Sequence, residues 1–156
     1  MPFLETTVGK LMMTFGVSMV PVLELRGAIP MGVAAGLTAA EAFWAAVLGN
    51  LLPVPFIILL IRRIFDWLRD TPWMGGRIEA LERRAHLKGR VVQKYSTLGL
   101  VILVAIPLPG TGAWTGALVA AILGIRLSRA LPAIALGVVI AGVIITGVTL
   151  GVIHLF

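Results

Sequence analysis

The sequence predicts an all-α integral membrane protein with an inverted repeat. Two units, each a re-entrant helical hairpin followed by a transmembrane helix, are joined by an amphipathic cytoplasmic linker helix. Three observations carry this reading. First, apolar types make up 59% of the 156 residues and charged types 13%, whereas a soluble domain runs at roughly 45–50% and about 25%. Second, runs long enough to span a bilayer, about 20 residues each, recur, and two are broken by Pro and Gly in corresponding places. Third, of the 13 Lys and Arg residues all but Lys10 and Arg26 lie in Arg62–Lys94 or at Arg126 and Arg129. That is the one-sided charge of the positive-inside rule, not a groove for nucleic acid.

The first apolar run extends from Leu11 to about Ala35 and is broken at Pro21, Glu24, Arg26 and Pro30. Proline lacks an N–H and clashes with the preceding turn, so the run reads as two half-helices meeting at Glu24–Ile29. Gly36-Leu37-Thr38 is a break, with Thr38 as N-cap and Glu41 at the favourable end of the next helix. The run Ala42–Ile61 is a span bent by Pro53 and Pro55, with Asn50 placed to bond across to a neighbouring helix. Arg62 and Arg63 close it on the cytoplasmic side.

Ile64–Lys94 differs in character. Phe65, Trp67, Leu68 and Trp73 alternate with Asp66, Arg69 and Asp70, as at a membrane interface. Arg77–Tyr95 reads as an amphipathic surface helix, with Ile78, Leu81, Ala85, Val92 and Tyr95 facing lipid and Arg83, Arg84, Lys88 and Arg90 facing headgroups. Leu98–Gly124 is the second broken run, interrupted by Ile106-Pro107-Leu108-Pro109-Gly110-Thr111-Gly112-Ala113-Trp114-Thr115-Gly116. A last span runs from Ala130 to Phe156. Its Gly147–Gly151 spacing permits close helix approach, either within the chain or between two copies.

Laying Pro21 on Pro109 brings Gly36 onto Gly124, Ala42 onto Ala130, Gly49 onto Gly137 and Ile57 onto Ile145. The order of features repeats as well: broken run, Gly break, unbroken span. Paired interrupted segments are the sequence pointer to a transporter site. If all four runs crossed the bilayer, Arg126 and Arg129 would lie on the outer face, against the positive-inside rule. Re-entrant hairpins put them inside with the linker. The chain is then one membrane domain, with repeat 1 over 8–63, linker 64–96 and repeat 2 over 97–156. The N-terminus lacks a basic n-region and cleavage site, so it is expected to stay in the mature protein.

An ionised side chain at the bilayer centre costs about 2.5–3.5 kcal/mol on insertion scales, which makes Glu24 and Arg26 site residues by default. At Leu23-Glu24-Leu25-Arg26-Gly27-Ala28-Ile29-Pro30 and at Ile106-Pro107-Leu108-Pro109-Gly110-Thr111-Gly112-Ala113-Trp114 the chain resembles the small multidrug export protein family. That family is similar to the DedA (SNARE-associated, VTT) superfamily. The resemblance implies two hairpins facing each other across the membrane, with Glu24 and Arg26 on the charged hairpin and Pro107, Pro109 and Gly110 at the second tip. It also implies translocation of a lipid carrier or phospholipid. The second hairpin departs from the DedA pattern in having no ionisable residue.

The expected function is a small transporter or flippase with a midplane site between the hairpin tips, moving an anionic or amphipathic, lipid-like substrate. Half-helix N-termini would face the anion. Arg26 supplies fixed charge, and Glu24 is its partner or a protonatable switch. Asn50, Thr111, Trp114 and Thr115 line the site. The rivals are a proton-coupled exporter of cationic drugs with four spans, which Arg26 beside Glu24 opposes, and a non-transporting membrane scaffold docked through the basic helix. An enzyme is not expected, since His86 and His154 lie far apart and form no nucleophile–base or metal cluster. There is no cysteine, so no thiolate site exists, and neither cofactor nor metal is expected. Expected partners are membrane lipids, a small-molecule or lipid-carrier substrate, a coupling ion (proton or sodium) and a second copy in a homodimer, with no nucleic acid. The expected location is a prokaryotic inner membrane.

Overall fold

Two short helices open the chain. In the computed structural model, which describes residues 2–77, 79–80, 83 and 89–156, a 3-10 turn at Pro2–Glu5 leads into α1 (Thr7–Ser18) and α2 (Glu24–Ala34). Thr6 caps α1 by accepting from the Gly9 N–H at 3.1 Å. The Nζ of Lys10 lies against Gly36 and Thr14 against Gly32, so the two helices run antiparallel as a hairpin. With 12 and 11 residues, they reach only about 18 and 16 Å at 1.5 Å per residue. A bilayer core is about 30 Å thick, so neither is long enough to cross it.

The break falls at 19–23, not at Glu24–Ile29 as the prolines suggest, and α2 runs straight through Pro30. Pro21 lies in the turn, where no helical N–H is needed. Pro30 removes one ladder bond, the one to the Arg26 carbonyl. The close fit of Ala28, Ile29 and Gly32 among their neighbours holds the helix together across that gap.

A capping box at Thr38 and Glu41 starts α3 (Ala39–Leu51), as expected. After Leu52 the chain continues as α4 (Pro53–Arg69), with Pro53 at the first turn of the new segment. Together they form an apolar stretch of 31 residues, Ala39–Arg69. It extends past Arg62, where the sequence placed the end of the span, because a charged pair marks a lipid boundary without interrupting a helix. The basic linker helix expected over Arg77–Tyr95 falls partly outside the described residues, which leave out Ile78, Leu81, Arg84, Ala85, His86 and Lys88 among others. Its last part, from Gly89, belongs instead to α5 (Gly89–Ala105).

A loop at 106–112 joins α5 to α6 (Ala113–Ile122), a ten-residue helix. Val104 packs on Gly116, and α5 and α6 form a second helical hairpin. The last helix, α7 (Leu127–Leu155), has 29 residues. The chain thus has two described helices long and apolar enough to cross a membrane.

The same cap closes the second arm of each hairpin. In α2, Gly36 has φ +97°, its N–H donates to the Val33 carbonyl, and Leu37 donates to Gly32. In α6, Gly124 has φ +65°, its N–H donates to Ala121, and Ile125 donates to Ala120. These are Schellman caps, which need a left-handed residue and so favour glycine. The register that lays Pro21 on Pro109 lays one cap on the other. The helix contacts correspond too. Each first arm packs on the long helix that follows it (α1 on α3, α5 on α7), and each second arm also reaches the long helix of the other half (α2 on α7, α6 on α4).

The core between these elements is built from small residues. Ala28, Ala46, Ala113, Ala117, Ala120 and Ala130 are wholly buried together with Ile29, Ile58 and Ile134. Small side chains let helix backbones approach closely, the usual membrane solution where lipid is as apolar as the helices. At Gly49 a Cβ would run into the Phe15 carbonyl of α1. The outer faces carry Trp44, Phe56, Leu59, Leu60, Leu136, Val143 and Val148, all exposed. So continuous an apolar surface marks a membrane or interaction face.

Arg62 donates to the carbonyl of Ile125, and Gly142 of α7 packs on Phe43 and Val47 of α3. The two long helices therefore run in opposite senses, and Arg62, Arg63, Arg126 and Arg129 gather at one end. Gly147 and Gly151 meet nothing within 4 Å. Close packing inside one chain does not account for them.

Candidate functional site

The two hairpin turns are exposed at Val20–Leu23 and Leu108–Gly110, and the residues just inside them, Glu24 and Gly112, meet in the protein interior. Glu24 opens α2 in the left-handed region, with φ +43°. This conformation is rare for a residue with a side chain, and residues held in it cluster at functional sites. Its carboxylate is turned inward and the residue is 7% exposed. Gly112, immediately before α6, lies directly against it: a Cβ there would come 2.6 Å from the Glu24 carboxyl carbon. The backbone of Gly112, at φ 155° and ψ −166°, is one that essentially only glycine adopts. The repeat register lays Glu24 on Gly112, so corresponding positions of the two halves touch. That register was the available signal for Gly112, which sequence reasoning left out of the site.

Two bridges tie each hairpin to the turn of the other. Arg26 donates through Nη2 to the Thr111 carbonyl at 2.6 Å and to Thr111 Oγ1 at 3.1 Å. In return, Trp114 Nε1 donates to the Met19 carbonyl at 3.1 Å. The register that pairs Glu24 with Gly112 pairs Arg26 with Trp114, so the bridges are reciprocal. The Trp114 backbone N–H also donates to Glu24 Oε1, at a long 3.4 Å. Glu24 and Arg26 form no direct ion pair; the guanidinium is turned to Thr111 instead. Among the described residues the ion pair within 4.0 Å is Asp66 with Arg69.

Behind these contacts lies a small cavity of about 10 Å³, lined by Glu24, Arg26, Asn50 and Gly112 and walled by Leu25, Val104, Ala113, Val138, Ala141 and Ile145. A space of that size admits about one water molecule. Asn50 is 1% exposed, and its Oδ1 receives no hydrogen bond. The cross-helix bond expected of Asn50 is not made through that oxygen.

Of the nine residues singled out from sequence, Glu24, Arg26 and Asn50 line the cavity, and Thr111 and Trp114 bind across the hairpin interface. Thr115 instead donates to the Gly110 carbonyl at 2.8 Å and stays within its own turn. Pro107, Pro109 and Gly110 shape the second loop, where Pro109 and Gly110 are exposed, and they do not line the cavity. They set the loop's course, while the peptide after them turns inward. The Thr111 hydroxyl, donating toward the Ile106 and Leu108 carbonyls and accepting from the Leu108 N–H, pins that loop. A second hollow of about 290 Å³ lies between α5 and α6, lined by apolar side chains with Tyr95 and Ser96. It does not reach Glu24.

Neither a protein of curated function nor a solved structure matches the chain. A family model does. Described as "Putative small multi-drug export protein", it matches residues 24–144, from Glu24, just after the first hairpin turn, through the second turn and well into α7, and the chain belongs to that family.

Proposed function

We propose that the protein is a small membrane transporter whose site lies where the two hairpin turns meet, and that the hairpins are re-entrant halves of an inverted repeat. The observation that carries this reading is the reciprocal crossing of Arg26 to Thr111 and Trp114 to Met19 over a buried carboxylate. Broken helices that meet and present polar groups in an apolar interior are the architecture of secondary-transporter sites. The short arms support re-entrance, since α1 and α2 are about half the length a span needs. The gathering of Arg62, Arg63, Arg126 and Arg129 at one end supports a cytoplasmic linker. The open Gly147–Gly151 face supports a homodimer.

The cavity is far smaller than the roughly 300–1,000 Å³ that a drug-sized ligand needs. We therefore read this state as closed. Substrate enters when the hairpins separate and both bridges break, which exposes Arg26 and the Thr111 loop. A released guanidinium suits an anionic or amphipathic headgroup, in line with the DedA-type likeness of the two motifs. The substrate moves without a chemical step, and the coupling ion is taken up at Glu24. The family's description favours a second reading, drug export, for which cationic drugs are the substrates to test; four full spans of the small multidrug-resistance type do not suit arms as short as α1 and α2. In the scaffold reading, neutralising Arg83, Arg84 and Lys88 would matter more than changing Glu24.

Flux into proteoliposomes tests this directly. Uptake of a fluorescent anionic phospholipid or polyprenyl phosphate is expected, with loss in Glu24→Gln and Arg26→Met variants that still fold. Uptake of cationic dyes alone would transfer the assignment to drug export, and no flux of either class would remove the transporter reading. A C-terminal reporter is expected on the face opposite the basic linker.

A further inference from the structure

We propose that Asn50 is the partner of the proton carried by Glu24: in the closed state the protonated carboxyl of Glu24 donates its O–H across the shared cavity to Asn50 Oδ1, directly or through one water. The inference rests on the reading of the hairpin interface as a transport site and deepens it by naming the ion and the group that receives it.

The argument is one of counting donors. Asn50 Oδ1 is a buried acceptor with no donor, and leaving such a group unmet costs about 1–3 kcal/mol. Glu24 faces the same cavity. When ionised, a carboxylate is acceptor-only, and this one has a single long bond from the Trp114 N–H and no ion pair. Two acceptors facing one small space call for a donor between them, and Arg26, which also lines that space, is turned to Thr111. A proton on Glu24 supplies it and removes the buried charge in the same step.

A sodium ion fits less well. It takes several oxygen ligands, whereas this space offers one carboxylate and one amide oxygen, and the charge of Arg26 lines it too. Among the described residues no other charged group lines the cavity with Glu24. From α3 comes Asn50, from α7 come Val138, Ala141 and Ile145, from α5 Val104, and from the start of α6 Ala113. Lys10 of α1 lies at the far end of α2, beside Gly36. The repeat register lays Asn50 on Val138, so the half without an acid also lacks the amide.

Infrared difference spectroscopy of the purified protein in vesicles, titrated with pH in the absence of substrate, tests the pairing. A protonated-carboxyl band that disappears in Glu24→Gln identifies the group. In Asn50→Leu, and independently in Asn50→Val should the first fail to fold, the midpoint of that band is expected to fall by about one pH unit, a tenfold weaker hold on the proton. Asn50→Ser, which keeps an acceptor, is expected to restore part of the shift. An unmoved midpoint, or no Glu24 band at any pH, overturns the proposal. So does a raised midpoint, because the amide would then be donating to an ionised Glu24. The measurement needs no transport, so failure of the flux assay and failure of this pairing are separate results.

Discussion

Replacing Gly112 with alanine perturbs the hairpin contact at its closest point. The new methyl would stand where the Glu24 carboxylate lies, with Oε1 at 2.8 Å and the carboxyl carbon at 2.6 Å. The carboxylate is the end of a flexible side chain but has little free space to move into, because the adjoining cavity holds about one water. Separately, φ 155° with ψ −166° is a glycine-only region, and holding an L-residue in it costs about 1–3 kcal/mol. Gly112→Ala should therefore destabilise the fold by the backbone cost plus a steric cost. Glu24→Ala in the same chain should recover only the steric part. A double-mutant cycle on unfolding in mild detergent measures this, and a coupling of about 0.5–3 kcal/mol is expected for residues in contact. Full stability of Gly112→Ala, or strict additivity of the two changes, would refute the contact on which the site is built.

Arg26→Met removes both donations to Thr111. Hydrogen bonds from a charged group contribute about 1.5–3 kcal/mol, and half-burial lowers that. A loss of about 1–2 kcal/mol in unfolding is expected, with faster proteolysis in the 106–112 loop. Gly49→Ala drives a methyl into the Phe15 carbonyl. Since backbone cannot yield as a side chain can, α1 and α3 should separate at a cost of about 1–3 kcal/mol, read by unfolding and by hydrogen exchange on α1. Thr38→Ala breaks the capping box with Glu41 and should cost about 1 kcal/mol. Flux through the folded fraction should stay unchanged, because the cap lies at the far end of α2 from Glu24.

Composition and one-sided charge suffice to assign this chain to a membrane. The proline and glycine breaks mark both interrupted runs, and the Gly36 and Gly124 caps are legible because a left-handed cap favours one residue type. Glu24 and Arg26 are visible since lipid makes any charge conspicuous. The first break falls ahead of Glu24, earlier than the prolines indicate, because a proline inside a helix costs one bond that tertiary packing can outweigh, and Pro30 is such a case. α4 reaches Arg69, beyond the charged pair at Arg62 and Arg63, because charge marks where lipid ends, not where a helix does.

What the sequence by itself determined is local: which segments are apolar, where the backbone must turn, and which side chains are too polar for lipid to tolerate unprotected. The tertiary structure decided the pairings: Arg26 with Thr111 rather than Glu24, Gly112 against the carboxylate, and an Asn50 oxygen left without a donor on a cavity shared with Glu24. Arg26 and Thr111 lie 85 positions apart in the chain, and the other two pairings likewise join residues of different elements. No local propensity encodes that choice; only the packing of one hairpin onto the other fixes which groups come within reach.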